Sequence, residues 1–281
     1  MTLGDFGRQP ERVRTEVNEW VRQQTHGKIK DFLPAGVLNL DTKLALINAI
    51  YFDGAWKYEF DRQRTFRAPF YAFGRRENEM AVEMMSMSTK LQYYFDEEHG
   101  CRILQLPYSG NKLSMILLLP EELDGLGKLE KSLSIDNLDK WALLMTNITV
   151  SVELPKFKLS QQFELNKVLP QLGMRDVFDA SQADLSGISA TTGLFVSNII
   201  HKSHVEVNER GTEAAAATGV VMRKRSLDMN EIFHADHPFL FLIRHHSSGS
   251  ILFVGRFQEP QNIGESNLTH DRLKSDELKK N

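Results

Sequence analysis

Residues 209–226 read Glu209-Arg-Gly-Thr-Glu-Ala-Ala-Ala-Ala-Thr-Gly-Val-Val-Met-Arg-Lys-Arg-Ser226, and the two halves of this stretch make opposite physical demands. The first half sets Gly211, which gives the backbone freedom to turn, before side chains too small to obstruct burial. The second half is a basic cluster, Arg223-Lys224-Arg225, open to a protease that cuts after arginine. Taken alone, Ala214 to Ala217 also suits a helical or low-complexity patch, and the basic run a solvated face. A loop that is cut and then absorbed into a sheet needs both halves at once.

The chain has 281 residues, 41% of them apolar and 25% charged, enough for a sizeable core in one large domain or two smaller ones. A formal charge of −3 argues against a nucleic-acid partner. No apolar run approaches the roughly 18 residues of a spanning helix, so no membrane partner is expected. Cys101 is the only cysteine, which excludes an internal disulfide without fixing the compartment. Met1 to Arg8 lacks the apolar stretch of a signal peptide. Asn147-Ile-Thr149 and Asn267-Leu-Thr269 are candidate glycosylation sites, used only by a chain that enters the secretory pathway. There is no Gly-x-Ser-x-Gly elbow and no metal-ligand spacing, so the protein is read as no enzyme, with no metal and no cofactor.

Hydrophobic periodicity organises the rest. Pro10 followed by Val13, Val17, Trp20 and Val21 predicts an amphipathic helix over 10–26, stopped by Gly27. Leu44 to Phe52 is nearly all apolar and reads as a buried central strand, with Asn48 its one polar interruption. Leu91 to Phe95, Cys101 to Pro107 and Leu113 to Leu119 read as strands, the last two joined as a hairpin at Ser109-Gly110-Asn111. Leu123 to Met145 reads as helix, Ile148 to Leu154 as a half-buried strand, and Phe163 to Leu172 as a short helix. Leu194 to Glu209 is a long strand, and Pro238 to Arg256 a hairpin turning at Ser247-Ser248-Gly249. Residues 261–281 are polar and charged and are expected to form a disordered tail.

Several of these stretches, in this order, resemble the serpins, the serine protease inhibitors. Asn48-Ala-Ile-Tyr-Phe-Asp-Gly-Ala-Trp56 is similar to the family's third strand of sheet A and the turn beyond it. Ala183-Asp-Leu-Ser-Gly187 and His201 are similar to the residues that precede the family's fifth strand of that sheet. Glu209 to Thr218 is similar to the hinge of the reactive-centre loop, and Phe233-His-Ala-Asp-His-Pro-Phe-Leu-Phe-Leu-Ile243 with Gly255-Arg256 to the C-terminal signature and hairpin. The resemblance implies an α+β fold with a large central mixed sheet, further sheets, packed helices and an exposed reactive-centre loop. It covers residues 1–260 as a single domain, without the N-terminal helices and first strands of a full-length serpin. The helix through which some serpins bind heparin belongs to that part, so no heparin partner is expected.

The resemblance also implies a suicide-substrate mechanism. A target serine protease attacks the loop, forms an acyl-enzyme, and is carried along as the cut loop inserts as a new strand of sheet A. Alignment of the hinge puts the reactive bond at Arg225-Ser226, with Met222, Arg223 and Lys224 filling the neighbouring subsites. An arginine before the bond suits trypsin-like proteases, and Lys224-Arg225 suits dibasic-cleaving, proprotein convertase-like ones; cleavage after Arg223 is the competing register. The hinge comprises Glu209, Gly211, Thr212, Ala214, Ala215, Ala216, Ala217 and Thr218. Of these, Thr212, Ala214, Ala216 and Thr218 share the parity that would face the core and are all small. Asn48, Trp56, Lys156 and His201 occupy the family's shutter and breach, where the sheet opens, and Glu209 is expected to pair with Lys156. Secretion is expected if a signal peptide precedes this sequence, with the cytoplasm or the endoplasmic reticulum as alternatives. The competing functions are a non-inhibitory, chaperone-like binding serpin and an inactive fragment.

Overall fold

A computed structural model describes residues 4–189, 193–212 and 230–260. They fall into two compact units, one formed by Met1–Phe52 and Lys158–Glu206, the other by Asp53–Phe157 and Val207–Asn281 as far as these are described.

In the first unit the helix Pro10–Gln24 starts with proline in its first turn. It ends at Gly27, whose φ of 77° lets its N–H reach back to the Arg22 carbonyl at 2.7 Å. Val13, Val17 and Val21 press on Ile29, Phe32, Leu33, Leu38 and Ile200. Trp20, expected in the same stripe, is 55% exposed, because it sits one step of about 100° from Val21, at the stripe's margin. The strand Leu44–Phe52 runs parallel to Val196–Asn208, from Leu44↔Val196 to Phe52↔Val205. The strand Phe157–Glu164 pairs with Val196–Asn208 as well.

Leu44–Phe52 is not buried on both faces as its composition suggests. Ala45, Ile47 and Ala49 pack toward the helix, while Leu46 and Ile50 are 43% and 36% exposed and Asn48 is exposed with them. One helix covers one face, and among the described residues of this unit nothing covers the other. Asn48 is therefore an exposed amide here, not a buried one that must find a partner. The expected helix over Phe163–Leu172 is also absent. The strand runs on to Glu164, and a short 3₁₀ turn, Leu169–Leu172, follows before Gly173 at φ 102°. Asn166 accounts for the difference: it accepts from Ile199 N–H at 2.8 Å and donates to the Ser197 carbonyl, holding the segment against the neighbouring strand.

The second unit is built on a sheet of eight strands. The 18-residue strand Glu79–Asp96 is its spine, pairing with Phe66–Tyr71, Cys101–Pro107 and Thr146–Pro155. Sequence periodicity finds only its last third, because Met80 to Met87 carries few β-branched residues. Cys101–Pro107 and Leu113–Pro120 form the expected hairpin, with Gly110 and Asn111 both at positive φ. Phe239–His245 pairs with Leu113–Pro120 on one side and Ile251–Phe257 on the other. The stretch expected as one helix over Leu123–Met145 is two, Leu126–Ser132 and Ile135–Leu144. Ser134 separates them, capping the second by accepting from Asn137 N–H.

Both faces are covered where Leu113–Pro120 and Phe239–His245 run side by side. On one, Leu240 and Leu242 meet Ile103, Ile116, Leu118, Leu129, Leu138 and Trp141. On the other, Phe239, Phe241 and Phe257 gather around Phe157 at centroid distances of 5.9, 5.6 and 4.9 Å. Asp96 is buried beneath Trp141, accepting from its Nε1 at 2.6 Å and meeting His99 Nδ1 at 2.7 Å. Asp96, Glu98 and His99 converge within 4.8 Å, yet these bonds, with one from the Glu98 N–H to Asp96, engage both Asp96 oxygens. Among the described residues no helix is long and apolar enough to cross a membrane.

Burial pushes the Asp96 carboxyl up, but the bonds from His99 and Trp141 prevail and hold it below 3.8. Its stabilisation is therefore present at neutral pH and fades as pH falls through the folded value. Asp96→Ala, which strands the Trp141 indole N–H, is expected to lower stability by about 2–3 kcal/mol at pH 7. Urea unfolding should show a lower midpoint with unchanged slope, and the gap to wild type should narrow in acid.

Candidate functional site

The root of the 209–226 stretch is held by the second unit, and its geometry depends on one glycine, Gly211. After Asn208, residues Glu209 and Arg210 turn the chain, and Gly211-Thr212 return antiparallel to Val207-Asn208. On the other side Gly211-Thr212 pair antiparallel with Gly54-Ala55. A Cβ on Gly211 would lie 2.1 Å from the Gly54 carbonyl oxygen, and its φ of +147° is one that other residues rarely adopt. Glycine is required here for close approach as much as for turning.

Thr212, one step on, is fully buried. Its hydroxyl bonds to that of Tyr108 at 2.9 Å. The Tyr108 ring stacks on Trp56 with centroids 4.6 Å apart, and burial raises its phenol pKa. Trp56 ties the turn together from three directions: its indole N–H donates to the Asn208 carbonyl at 3.0 Å, its backbone N–H to the Arg210 carbonyl at 2.8 Å, and it bridges to Tyr108. The Asn208 side chain accepts from Arg210 N–H at 3.0 Å, an Asx-type closure of the turn.

Glu209 carries the charge of the turn. Its carboxylate is buried, accepts from the Thr65 hydroxyl at 2.8 Å and meets Lys156 Nζ at 3.3 Å. Lys156 also reaches Glu83 at 3.2 Å. Burial pushes the Glu209 pKa up, but the backbone bond, Thr65 and Lys156 outweigh it, and the net shift is downward. Lys156 behaves as the mirror case: burial works against its charge, Glu83 and Glu209 work for it, and the net shift is upward. One cation thus serves two carboxylates, so removing it would leave Glu209 buried without a counter-charge.

The other residues singled out from sequence are placed as follows. Asn48 and His201 are register partners in the first unit; His201 stacks against Phe163 at 6.2 Å. Asn147 is exposed on the strand Thr146–Pro155. Ala214, Ala215, Ala216, Ala217 and Thr218, the basic cluster Met222, Arg223, Lys224, Arg225 and Ser226, and Asn267 lie outside the described residues. Sequence reasoning missed Tyr108, Thr65, Glu83 and Asn208. Tyr108 lies beside the hairpin turn at Ser109-Gly110, but nothing local marks a tyrosine there as the partner of a threonine 104 positions away.

A family model described as "Serpin (serine protease inhibitor)" matches residues 1–260. The leukocyte elastase inhibitor of Homo sapiens is 47% identical over 262 residues, covering 91% of this chain and 69% of that protein. The protein of the same name from Xenopus tropicalis is 46% identical over 261 residues, covering 91% and 68%. Among solved structures, uncleaved ovalbumin matches with a TM-score of 0.81 at 33% identity, covering 91% of this chain and 64% of that one. Human thyroxine-binding globulin matches with a TM-score of 0.82 at 29% identity, covering 92% and 67%. The chain spans about two thirds of the length of these relatives. It belongs to the serpin family and has the α+β serpin fold.

Two substitutions probe the turn. Gly211→Ala is expected to cost on the order of 3 kcal/mol, since the methyl meets a backbone carbonyl and the φ is strained. Tyr108→Phe is expected to cost roughly 1–2 kcal/mol by leaving the Thr212 hydroxyl buried without its partner. Thermal melts of both variants read these losses.

Proposed function

We propose that this serpin is a suicide-substrate inhibitor of serine proteases and not itself an enzyme. Its reactive bond is Arg225-Ser226, presented to a trypsin-like or proprotein convertase-like enzyme, and the cut loop inserts into the sheet from Gly211 onward. The protease serine adds to the Arg225 carbonyl, the Ser226 amine leaves, and the acyl-enzyme stays joined to the loop. Residues 1–260 act as one serpin domain, with 261–281 a charged tail.

One observation supports this reading above the others. Gly211 and Thr212 form a buried two-residue strand between Val207-Asn208 and Gly54-Ala55, so the chain already turns back toward a sheet where insertion must begin. The residues that follow on the parity of Thr212, namely Ala214, Ala216 and Thr218, are small enough to continue. Glu209, Lys156 and Trp56 hold the turn, while Asn48 and His201 face each other across the ladder that an inserting strand would part.

A second reading of the target rests on the relatives, which are named elastase inhibitors. An enzyme with a small specificity pocket would cut after Val220, Val221 or Met222 instead of Arg225.

Incubation with trypsin, thrombin, a proprotein convertase and an elastase, followed by denaturing electrophoresis, tests the proposal. A complex that survives SDS with one of them supports inhibition. Clean cleavage by all four with no complex would overturn it. Sequencing the released C-terminal peptide assigns the bond: Ser226 first supports the arginine reading, Lys224 first its register after Arg223, and Val221, Met222 or Arg223 first the elastase reading. Arg225→Ala is expected to slow complex formation with the trypsin-like enzyme by roughly two orders of magnitude or more. Thr212→Arg, which would require a guanidinium where the threonine is fully buried, is expected to turn inhibition into simple cleavage.

A further inference from the structure

His204 lies in the strand Val196–Asn208, opposite Tyr51 in the parallel ladder with Leu44–Phe52. Both of its ring nitrogens are shut away from solvent without a hydrogen-bond partner. A neutral imidazole leaves one donor and one acceptor unused in such a place. The imidazolium would leave two donors unused and add a charge that nothing nearby solvates.

The charged groups around the ring come from every element beside it. Lys202 and Glu206 flank it on its own strand, Lys158 comes from Phe157–Glu164, and Lys28 from the segment after the helix. From the remaining strand comes Tyr51, whose ring meets His26 edge-on at 6.0 Å. Glu206 is the only carboxylate of the group, and it is engaged elsewhere: Lys158 meets its Oε1 at 2.7 Å and Lys28 its Oε2 at 3.8 Å. Lys202 donates to the Lys30 carbonyl at 3.1 Å. Three cations and one committed anion make this a poor place for a further proton.

We infer that His204 is an acid-sensitive point in the strand Val196–Asn208, and that protonation of its enclosed ring loosens the pairing of residues 202–206. Burial, reinforced by the three lysines against Glu206, holds the imidazole below 6.5 in the folded chain. Above that value both folded and unfolded states carry a neutral ring, and the strand has its full stability. Below it the unfolded chain takes up a proton that the folded one resists, until pH passes the folded value. Within this window the unfolding equilibrium constant rises by up to about tenfold per pH unit from this residue alone. The inference concerns the strand and stands independently of the inhibitor reading.

The test compares the full chain with His204→Phe and His204→Gln. Urea unfolding and amide hydrogen exchange are followed at about pH 7.5 and about pH 5, which bracket the titration of an ordinary histidine. The wild type should lose stability on acidification several-fold more, in its unfolding constant, than either variant. Its amides at 202–206 should lose protection in acid while those of the variants do not. Every other group is common to all three proteins, so its contribution cancels in the comparison. If His204→Phe fails to fold, His204→Gln decides. Variants that keep the wild-type acid response in both measurements overturn the inference.

Discussion

The second unit rests on a requirement that two neighbouring strands be apolar on both faces. Leu113–Pro120 and Phe239–His245 lie side by side inside the sheet, each with a strand on both sides. Their alternate residues supply two different cores, one under the helices with Leu240 and Leu242, the other an aromatic cluster with Phe239 and Phe241. Strands with one wet face alternate polar and apolar residues; these cannot. Gly255 belongs to the same arrangement, since a Cβ there would lie 2.5 Å from the Phe241 ring. With both faces filled, neither strand can slip by one residue without exchanging its cores. Tyr108 leads out of that hairpin and Trp56 bridges to it, so the seat of Thr212 inherits the precision of the sheet.

Much of this was legible because it is local. The continuous apolar runs at Leu113–Leu119 and Phe239–Ile243, the turns between strands, and the helix behind Pro10 all follow from spacing. The hinge stands out because small residues follow a glycine that nothing else would require. What sequence reading missed depends on partners far away in the chain. Leu44–Phe52 has the composition of a doubly buried strand and one covered face. Phe163 has helix-compatible neighbours, but Asn166 binds the adjacent strand. Thr212 and Tyr108, or Glu209 and Thr65, meet only after the sheet has formed, and no periodicity records such pairs.

The charges at the turn hold it in a different way from the apolar sheet beyond it. Glu209 is buried, yet each of its contacts is polar: a hydroxyl, a lysine shared with Glu83, and backbone N–H. Apolar burial holds through area; a buried carboxylate holds through direction and is costly to leave unpaired. A few directional bonds thus fix the chain reversal, while the apolar sheet beyond it is held by area.

The strand Leu44–Phe52 has its own consequence, one of cooperativity. It rests on one layer, through Ala45, Ile47 and Ala49, whereas Leu113–Pro120 and Phe239–His245 are buried on both faces. Segments that bury less apolar surface open at lower free energy than the molecule as a whole. The first unit is thus the softer of the two. Its amides would lose protection before those of the second.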